Sequence, residues 1–327
     1  MLKVNNLVKL YPNAKRVAVN NISFELKAGE ICGFLGMNGA GKSTTIKSVT
    51  GIIPYTSGEV LINGKDLRKD SLGAKMQFGF VPDNYRLYEK LTGNELVNYT
   101  ADIYKIGLSD RKKRIGKFVE LFKLGHAMNN QIQSYSHGMK QKICIISTLV
   151  HSPKLWLLDE PMVGLDPQSI FEVKEYMKEH AKKEGNTVFF SSHSLDTVQG
   201  LCDRAIIINA GRVLDTIDIN AIKDKPGLLE KHFLNIVNTD AQKYKQELDA
   251  LEAKEKELAK KYGKLKANTM IIKQVAESTK QGTNLGVETN DKTSSILVDS
   301  DISGDNQLVD RDNSQNSHSV NSDREII

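Results

Sequence analysis

Several features that would place a chain in a membrane or outside the cell are missing from this sequence. No apolar run reaches the ~18 residues that a membrane-spanning helix needs, and residues 1–4 lead into a predicted strand rather than a signal peptide. The three cysteines, Cys32, Cys144 and Cys202, lie in or beside apolar stretches without Cys-x-x-Cys spacing. They are predicted to be reduced core residues rather than disulfide partners or metal ligands. Together these features predict a soluble, cytoplasmic protein.

Aromatic residues are also scarce, and the charge is unevenly distributed. The formal net charge is +5, yet residues 281–327 hold nine acidic and three basic residues, a net of −6, which leaves +11 on the preceding residues. Basic surfaces bind nucleic acid, but here Lys and Arg are spread along predicted helices without interleaved aromatic residues. A solvated or membrane-apposed surface fits this pattern better, so no specific nucleic acid is expected as a partner.

The most informative segment that is present is a glycine-rich loop between an apolar strand and a helix. Residues 36–43 read Gly-Met-Asn-Gly-Ala-Gly-Lys-Ser, the complete GxxxxGK[ST] pattern of a nucleotide phosphate-binding loop. Glycines let consecutive N–H groups turn inward around phosphates, while Lys42 would contact the β- and γ-phosphates and Ser43 would bind Mg²⁺. The predicted nucleotide-binding residues of this segment are Gly36, Met37, Asn38, Gly39, Ala40, Gly41, Lys42, Ser43 and Thr44.

A second metal-binding carboxylate is predicted at the end of the apolar run 155–158. Asp159 and Glu160 follow this run directly, at the carboxyl end of a predicted strand, where open α/β sheets bind ligands. We expect Asp159 to hold Mg²⁺ through water and Glu160 to polarise an attacking water. The alternative is that the pair only ends a strand. The Pro-Met-Val-Gly-Leu-Asp-Pro segment that follows argues against this alternative.

The remaining pattern predicts an α/β fold with a helical insertion. Apolar runs at 155–158, 187–190 and 205–208, separated by helical segments, indicate a parallel sheet buried on both faces. Residues 84–152 read instead as helices, the first of them capped by Thr92. Its apolar positions at helical spacing are Leu96, Tyr99, Ile103 and Tyr104.

The C-terminal third gives weaker signals. Residues 219–240 are predicted to form a closing helical segment, and 241–280 a charged amphipathic helix or a short coiled coil, because apolar residues recur at heptad spacing from Tyr244. A single amphipathic helix lying on its own domain fits the same spacing. Residues 281–327, rich in Ser, Asn, Asp and Gly, are predicted to be a disordered acidic tail.

Across residues 4–214 the chain resembles the ATP-binding subunits of ABC transporters. The loop 36–43 resembles their Walker A motif, and residues 155–159 resemble Walker B, followed by the catalytic Glu160. Residues 134–141, Ser-Tyr-Ser-His-Gly-Met-Lys-Gln, are similar to the LSGGQ signature at the head of a helix. The resemblance implies a P-loop NTPase fold for a cassette at 1–218, with a RecA-like parallel sheet, an N-terminal antiparallel β layer and an inserted helical subdomain.

The resemblance also implies roles for residues outside the loop. Tyr11 stands where the family stacks an aromatic ring on adenine, and His193 stands at the position of the switch histidine near the γ-phosphate. Ser136 and Gly138 of the signature would offer donors to a γ-phosphate, and Asp166 lies in the D-loop. A lone histidine is more often structural, but His193 ends an apolar strand at the same predicted edge as Glu160.

Four residues depart from the family pattern. Tyr135, His137 and Met139 replace the leucine, the first glycine and the glutamine of the signature, and Asp83 stands where a glutamine is usual. Asp83 keeps an oxygen that would contact the metal or a water. This form resembles the subgroup that works with a separate ABC-2 type permease, usually in export, and none of the changes removes a residue that hydrolysis requires.

In this family the phosphate bound by the signature belongs to the nucleotide of the opposite subunit. The resemblance therefore implies a homodimer or heterodimer that sandwiches two ATP molecules with Mg²⁺. Hydrolysis would drive transport through an integral-membrane permease, with the chain peripheral on the inner face of the cell membrane. The alternative is a non-transport ABC ATPase that acts on ribosomes or DNA, but such proteins usually carry two cassettes or long insertions, which this sequence does not show.

Overall fold

Strands and helices alternate along the described chain, which comprises residues 1–262 except 13, 15, 85, 184 and 226 of a computed structural model. The strands are β1 (Leu2–Lys9), β2 (Val19–Leu26), β3 (Ile31–Leu35), β4 (Ser57–Ile62), β5 (Lys65–Asp66), β6 (Phe78–Val81), β7 (Leu155–Leu158), β8 (Thr187–Ser192), β9 (Arg204–Asn209) and β10 (Arg212–Asp218). The helices are α1 (Lys42–Val49), α2 (Ser71–Lys75), α3 (Gly93–Ile103), α4 (Leu108–Leu121), α5 (His137–Leu149), α6 (Pro167–Lys182), α7 (Leu195–Leu201) and α8 (Leu228–Tyr262).

The N-terminal strands form an antiparallel sheet in the order β2-β1-β4-β5. Its last hairpin turns at Asn63 and Gly64, whose φ angles of 51° and 79° are those that a two-residue hairpin loop requires. The antiparallel layer implied by the family resemblance is confirmed.

A second sheet has the order β10-β9-β3-β8-β7-β6, and its strand pairs are parallel except for β9 with β10. Every residue of β3, β7 and β8 is buried. This burial explains why the three strands appear in the sequence as continuous apolar runs rather than alternating ones. The predicted α/β core with a parallel sheet is confirmed.

Two strands of this sheet were not predicted. The strand β6 is short and contains Gly79, where an added Cβ would lie 2.6 Å from the Thr148 carbonyl oxygen of α5. The glycine therefore allows the helix to approach the strand closely. The strand β10 pairs antiparallel with β9 at the edge and is mostly half-buried, so its mixed polar sequence lacks a clear strand pattern.

Strand order brings four chain segments to one edge of the parallel sheet. The strands β3, β6, β7 and β8 run parallel, and their ends pair in register, Leu35 with Ser192 and Leu158 with both Phe190 and Val81. The residues after each strand therefore emerge side by side. This edge receives the loop 36–41, Asp83, Asp159 and His193.

Aromatic side chains pack on both sides of the parallel sheet. Phe24 of β2, Phe34 of β3 and Phe189 of β8 lie with ring centroids 5.3–5.8 Å apart, which ties the antiparallel layer to the parallel sheet. Trp156, fully buried on β7, contacts Tyr176 of α6 edge-on with the ring centroids 5.7 Å apart.

The predicted helical insertion is confirmed, with one correction. Thr92 caps α3 in a capping box, because its side chain accepts from the Glu95 N–H and the Glu95 carboxylate accepts from the Thr92 N–H at 2.7 Å. The apolar seam predicted for this helix is wrong in part. Leu96 is buried, but Tyr99 and Ile103 are about half exposed, and the buried face is completed by neighbouring positions.

The helix α8 runs without a break from 228 to 262, so it crosses the boundary between the predicted segments 219–240 and 241–280. Asp240 fixes it to β9 and β10 by accepting from Asn209 at 3.0 Å and from Arg212 at 2.7 Å. The heptad side chains from Tyr244 and the acidic tail 281–327 lie outside what the structure describes. Within the described part, no helix is both long enough and apolar enough to cross a bilayer.

Candidate functional site

A cavity of about 310 Å³ opens at the sheet edge where the parallel strands end. Three chain segments that the sequence had singled out separately contribute to its wall: the glycine-rich loop, Asp83 after β6 and Glu160 after β7. The lining residues are Ala18, Met37, Asn38, Gly39, Gly41, Lys42, Ser43, Thr44, Asp83 and Glu160.

The loop conformation depends on Gly41. Its φ is 102°, a region that side chains disfavour, and an added Cβ would lie 2.8 Å from the Ala18 carbonyl oxygen. The helix α1 begins at the next residue, and its N-terminus has no side-chain cap and no acidic residue in its first turn. Its first N–H groups are thus directed at the cavity mouth and suit an anion.

Lys42 lies at the base of this loop with its side chain almost fully buried. Its Nζ donates to the carbonyl oxygens of Gly36 at 2.8 Å and Met37 at 3.2 Å, and lies 3.2 Å from Oε1 of Glu160. Burying an ammonium group is costly unless oxygens surround it. The loop and Glu160 supply those oxygens and hold the charge where phosphate oxygens would bind.

Asp159 is almost completely buried beside the cavity. Its Oδ1 accepts from the Ser191 hydroxyl at 2.6 Å, whereas its Oδ2 has no hydrogen-bond partner among the described residues. Burial raises the pKa of Asp159, and the neighbouring Ser191 and Ser43 hydroxyls oppose that shift. A buried, unpartnered carboxylate oxygen close to a serine hydroxyl fits a hard cation such as Mg²⁺.

Glu160 is held at both its backbone and its carboxylate. Its φ of 49° is unusual for a non-glycine residue and costs of order 1–3 kcal/mol. The N–H donates to the Ser191 hydroxyl oxygen at 2.8 Å, and Nδ1 of His193 lies 3.1 Å from Oε2. The structure therefore places the two predicted catalytic residues in contact, at the cavity that Glu160 lines.

Asp83 lies in the cavity wall but already has a cationic neighbour. Its Oδ1 is 3.0 Å from Nζ of Lys47, which belongs to α1, and also accepts from the Asn84 N–H at 2.8 Å. Lys47 therefore partly neutralises a carboxylate next to the phosphate loop.

The other predicted site residues do not line this cavity in the described chain. Ser136 caps α5 by accepting from the Met139 N–H at 3.3 Å, and Asp166 caps α6 by accepting from the Ser169 N–H at 3.0 Å. Tyr11 is partly exposed, with Nζ of Lys9 4.7 Å from its ring centroid. Gly138, beside Ser136, is likewise outside the cavity lining.

Two of the signature departures have structural explanations. Tyr135 is buried and donates from its hydroxyl to the Ala127 carbonyl oxygen at 2.6 Å, so it anchors the signature to the helical insertion. His137 lies against Gly164, where an added Cβ would be 2.6 Å from both Cδ2 and Nε2 of the imidazole. One turn further along α5, Gln141 donates to the Pro161 carbonyl oxygen at 2.5 Å. This face of the signature helix therefore packs on the loop that follows Glu160.

Three neighbours of the site were not singled out from the sequence. Ala18 comes from the turn before β2, Lys47 lies at the distal end of α1, and Ser191 belongs to the apolar strand β8. No motif marks Ala18 or Lys47. The one available signal for Ser191 was its position directly after the apolar residues 188–190.

Comparison with known proteins agrees with this geometry. The family described as ABC transporter matches residues 19–163. The linearmycin resistance ATP-binding protein LnrL of Bacillus subtilis (strain 168) is 39% identical over 214 residues, which cover 65% of this chain and 68% of LnrL. A solved ATP-binding subunit of an ABC transporter is 30% identical with a TM-score of 0.67, over 72% of this chain and 99% of that one. A dimeric structure of MJ0796, a bacterial ABC transporter cassette, is 25% identical with a TM-score of 0.62, over 67% and 99%.

The raised pKa of Asp159 predicts that its charge destabilises the ligand-free protein. Between the unfolded and folded pKa values the folded state binds more protons, so stability falls as pH rises through that window. We expect Asp159→Asn to raise the melting temperature without ligand at neutral pH and to abolish the extra stabilisation by ATP with Mg²⁺ over ATP with EDTA. Differential scanning fluorimetry measures both.

Asp166→Asn is the matched control for this test. Hydrogen bonds from the Ser169 hydroxyl and N–H lower the pKa of Asp166, so its ionised form is favoured on folding. The same substitution there should not stabilise the protein. A ligand-free Asp159→Asn protein that melts no higher than the parent would contradict the assigned effect of burial.

The contact between His137 and Gly164 predicts coupled substitutions. Gly164→Ala combines an unfavourable φ of 79° with a steric clash against the imidazole. In a His137→Gly background the clash is removed and a backbone cost of ~1–2 kcal/mol remains. The backbone cost is the same in both backgrounds and cancels in a double-mutant cycle, so the coupling free energy measures the clash alone. We expect a coupling of about 1–2 kcal/mol from denaturant unfolding.

Gly29 supplies the control for this cycle. Its φ is 83°, and an added Cβ would meet no atom within 4 Å. Gly29→Ala should thus cost the backbone strain alone and combine additively with His137→Gly. Additive free energies for the Gly164 pair as well would show that the His137 contact carries no coupling.

Proposed function

The chain belongs to the family of ABC transporter ATP-binding subunits, and on this premise we propose that it hydrolyses ATP to drive export through a separate ABC-2 type permease. The observation that carries the proposal is the contact of Lys42 and His193 with opposite carboxylate oxygens of Glu160 at the phosphate-loop cavity. One carboxylate is thereby positioned between a phosphate-binding cation and the edge of the site from which water would attack.

Each residue then has a definite task when MgATP is bound. Lys42 would exchange its loop carbonyl partners for phosphate oxygens, and Glu160 would orient the attacking water and accept its proton. His193 would keep the Glu160 carboxylate in place and reach the γ-phosphate. Ser43 and Asp159, with Asp83 alongside, would hold Mg²⁺, which neutralises charge on the β- and γ-phosphate oxygens.

Dimerisation would complete the site. In this proposal Ser136, Gly138 and Asp166 serve the nucleotide of a second subunit, and Tyr11 moves onto the adenine when ATP binds. Support comes from their positions outside the cavity lining and from the similarity to a cassette solved as a dimer. The second subunit is a second copy of this chain or a related cassette.

Export and a membrane partner are supported by one relative and one surface. The relative LnrL is named for linearmycin resistance, a function that suits drug export. In the helical insertion, Tyr88 and Tyr99 are exposed and meet edge-on with their ring centroids 6.0 Å apart, beside a groove of about 530 Å³ that also includes Leu91. We propose that a cytoplasmic segment of the permease docks here, which places the cassette 1–218 on the inner face of the membrane and leaves 219–240, 241–280 and 281–327 as accessory segments.

Replacing the proposed catalytic carboxylate tests the ATPase mechanism. Glu160→Gln should lower the hydrolysis rate by about 10²–10⁴-fold, because the amide cannot accept the proton from water. It should also accumulate an ATP-bound dimer, detectable by size-exclusion chromatography with light scattering. Glu175→Gln, an exposed position paired with Lys178, is the control and should resemble the parent. Hydrolysis by the Glu160 variant at the parent rate would exclude the assigned role.

The permease proposal requires a separate test. A tagged chain should recover an integral-membrane protein from detergent-solubilised membranes of its native cells, and Tyr88→Ala with Tyr99→Ala should reduce that recovery by removing the aromatic pair. Leu108→Ala, at a still more exposed apolar position of the helical insertion, is the control. ATP binding should be unchanged in all variants, and equal recovery by the tyrosine variant would rule out this groove as the docking site.

A further inference from the structure

A hydroxyl group is buried near the carboxyl end of β8 in the parallel sheet. Ser191 lies on β8 between Phe190 and Ser192, and it is completely buried. A polar group in such a place is unfavourable unless its hydrogen bonds are made. Its contacts therefore show what the residue does.

The hydroxyl both donates and accepts a hydrogen bond, and its two partners are the residues that follow the neighbouring strand β7. The Ser191 hydroxyl donates to Oδ1 of Asp159 at 2.6 Å and accepts from the N–H of Glu160 at 2.8 Å. A single oxygen atom thus joins the proposed metal ligand to the backbone of the proposed catalytic residue. The pairing of Leu158 with Phe190 brings these atoms together.

The bond to Asp159 determines which carboxylate oxygen remains available. With Oδ1 occupied by Ser191, Oδ2 is the oxygen left without a partner in the described chain. A carboxylate held by one hydrogen bond loses its rotational freedom about the side-chain torsion. The cation would then meet an oxygen that is already oriented.

The bond to Glu160 acts on a strained backbone. The φ of 49° persists only if surrounding contacts enforce it, and the N–H of Glu160 is fixed by Ser191. The other end of the same residue is fixed by His193, which is also supplied by the β8 segment. The strand β8 and the residue that follows it therefore hold Glu160 at its backbone and at its carboxylate.

We propose that Ser191 is a positioning residue for hydrolysis: its hydroxyl orients Asp159 toward the metal and holds Glu160 in the backbone conformation that presents its carboxylate to the site. This inference rests on the proposed function. A purely structural serine would contribute stability alone, whereas a positioning serine affects the chemical step and the metal dependence more than the binding of nucleotide.

Three substitutions separate these roles. Ser191→Thr and Ser191→Val introduce side chains of the same shape, and only the threonine keeps the hydroxyl. Ser191→Ala removes the hydroxyl without adding volume. The matched control is Thr187→Val at the start of the same strand, where a buried hydroxyl donates to the Lys27 carbonyl oxygen at 2.7 Å, far from the site along β8. All variants are made in the full chain.

Steady-state hydrolysis gives the first measurement. We expect kcat of the Val and Ala variants to fall by about 10–100-fold with KM for ATP changed by no more than about two-fold. The Thr variant should retain most of the parent kcat, and Thr187→Val should match the parent. Equal kcat values for Ser191→Thr and Ser191→Val would overturn the proposal, as would the same loss in Thr187→Val.

Thermal stability gives a second measurement that does not depend on turnover. The rise in melting temperature with ATP and EDTA should be similar in the parent and in Ser191→Val, because the phosphate loop is intact. The additional rise when Mg²⁺ replaces EDTA should be largely lost in Ser191→Val and kept in Ser191→Thr. Retention of the full Mg²⁺-dependent rise in the Val variant would overturn the orientation of Asp159.

The same assays on the parent protein distinguish a wrong role for Ser191 from a wrong proposed function. If the parent hydrolyses ATP while Ser191→Thr and Ser191→Val have the same kcat and the same Mg²⁺-dependent rise in melting temperature, only the positioning role is wrong. If the parent neither binds nor hydrolyses MgATP, the proposed function is wrong, and the role of Ser191 is wrong with it.

Discussion

The ion pair between the buried Lys42 and the partly exposed Glu160 is the constraint on which the site depends. An ammonium group removed from water needs oxygen atoms on several sides, and here they come from the turn of the glycine-rich loop and from the residue that follows β7. The loop can bend this tightly because Gly41 accepts a left-handed conformation against the chain before β2. The carboxylate reaches the same point because β7 and β3 flank β8 in the sheet. Loop conformation and strand order are therefore both required for one ion pair.

The sequence predicted the parts of this arrangement that are local. The residues of the phosphate-binding motif are consecutive in the loop 36–43. The strands β3, β7 and β8 are recognisable as apolar runs because both of their faces are buried. The antiparallel edge strand β10 and the glycine-containing β6 gave no such signal, since one is half-buried and the other is short. The face of α3 was also misjudged, because spacing alone does not show that Tyr99 remains exposed.

Contacts between distant segments were beyond a reading of the sequence. The bonds of Ser191 to Asp159 and Glu160 follow from the adjacency of β7 and β8, which are separated in the chain by the whole of α6. The packing of His137 on Gly164 likewise depends on where α5 lies relative to the loop after β7. From the sequence alone, His137 in place of a signature glycine is only a departure from the family pattern. In the structure His137 packs against Gly164 in the loop that follows Glu160.

The single tryptophan of the chain is a natural optical reporter of this site. Trp156 is fully buried on β7, three residues before Asp159, and packs against Tyr176 and His180 of α6. Burial lowers the pKa of His180 to about 4, so the neighbouring imidazole is neutral at physiological pH and its titration does not disturb the signal there. Intrinsic fluorescence excited at the indole band therefore comes from one known position in the strand that ends at the proposed metal ligand.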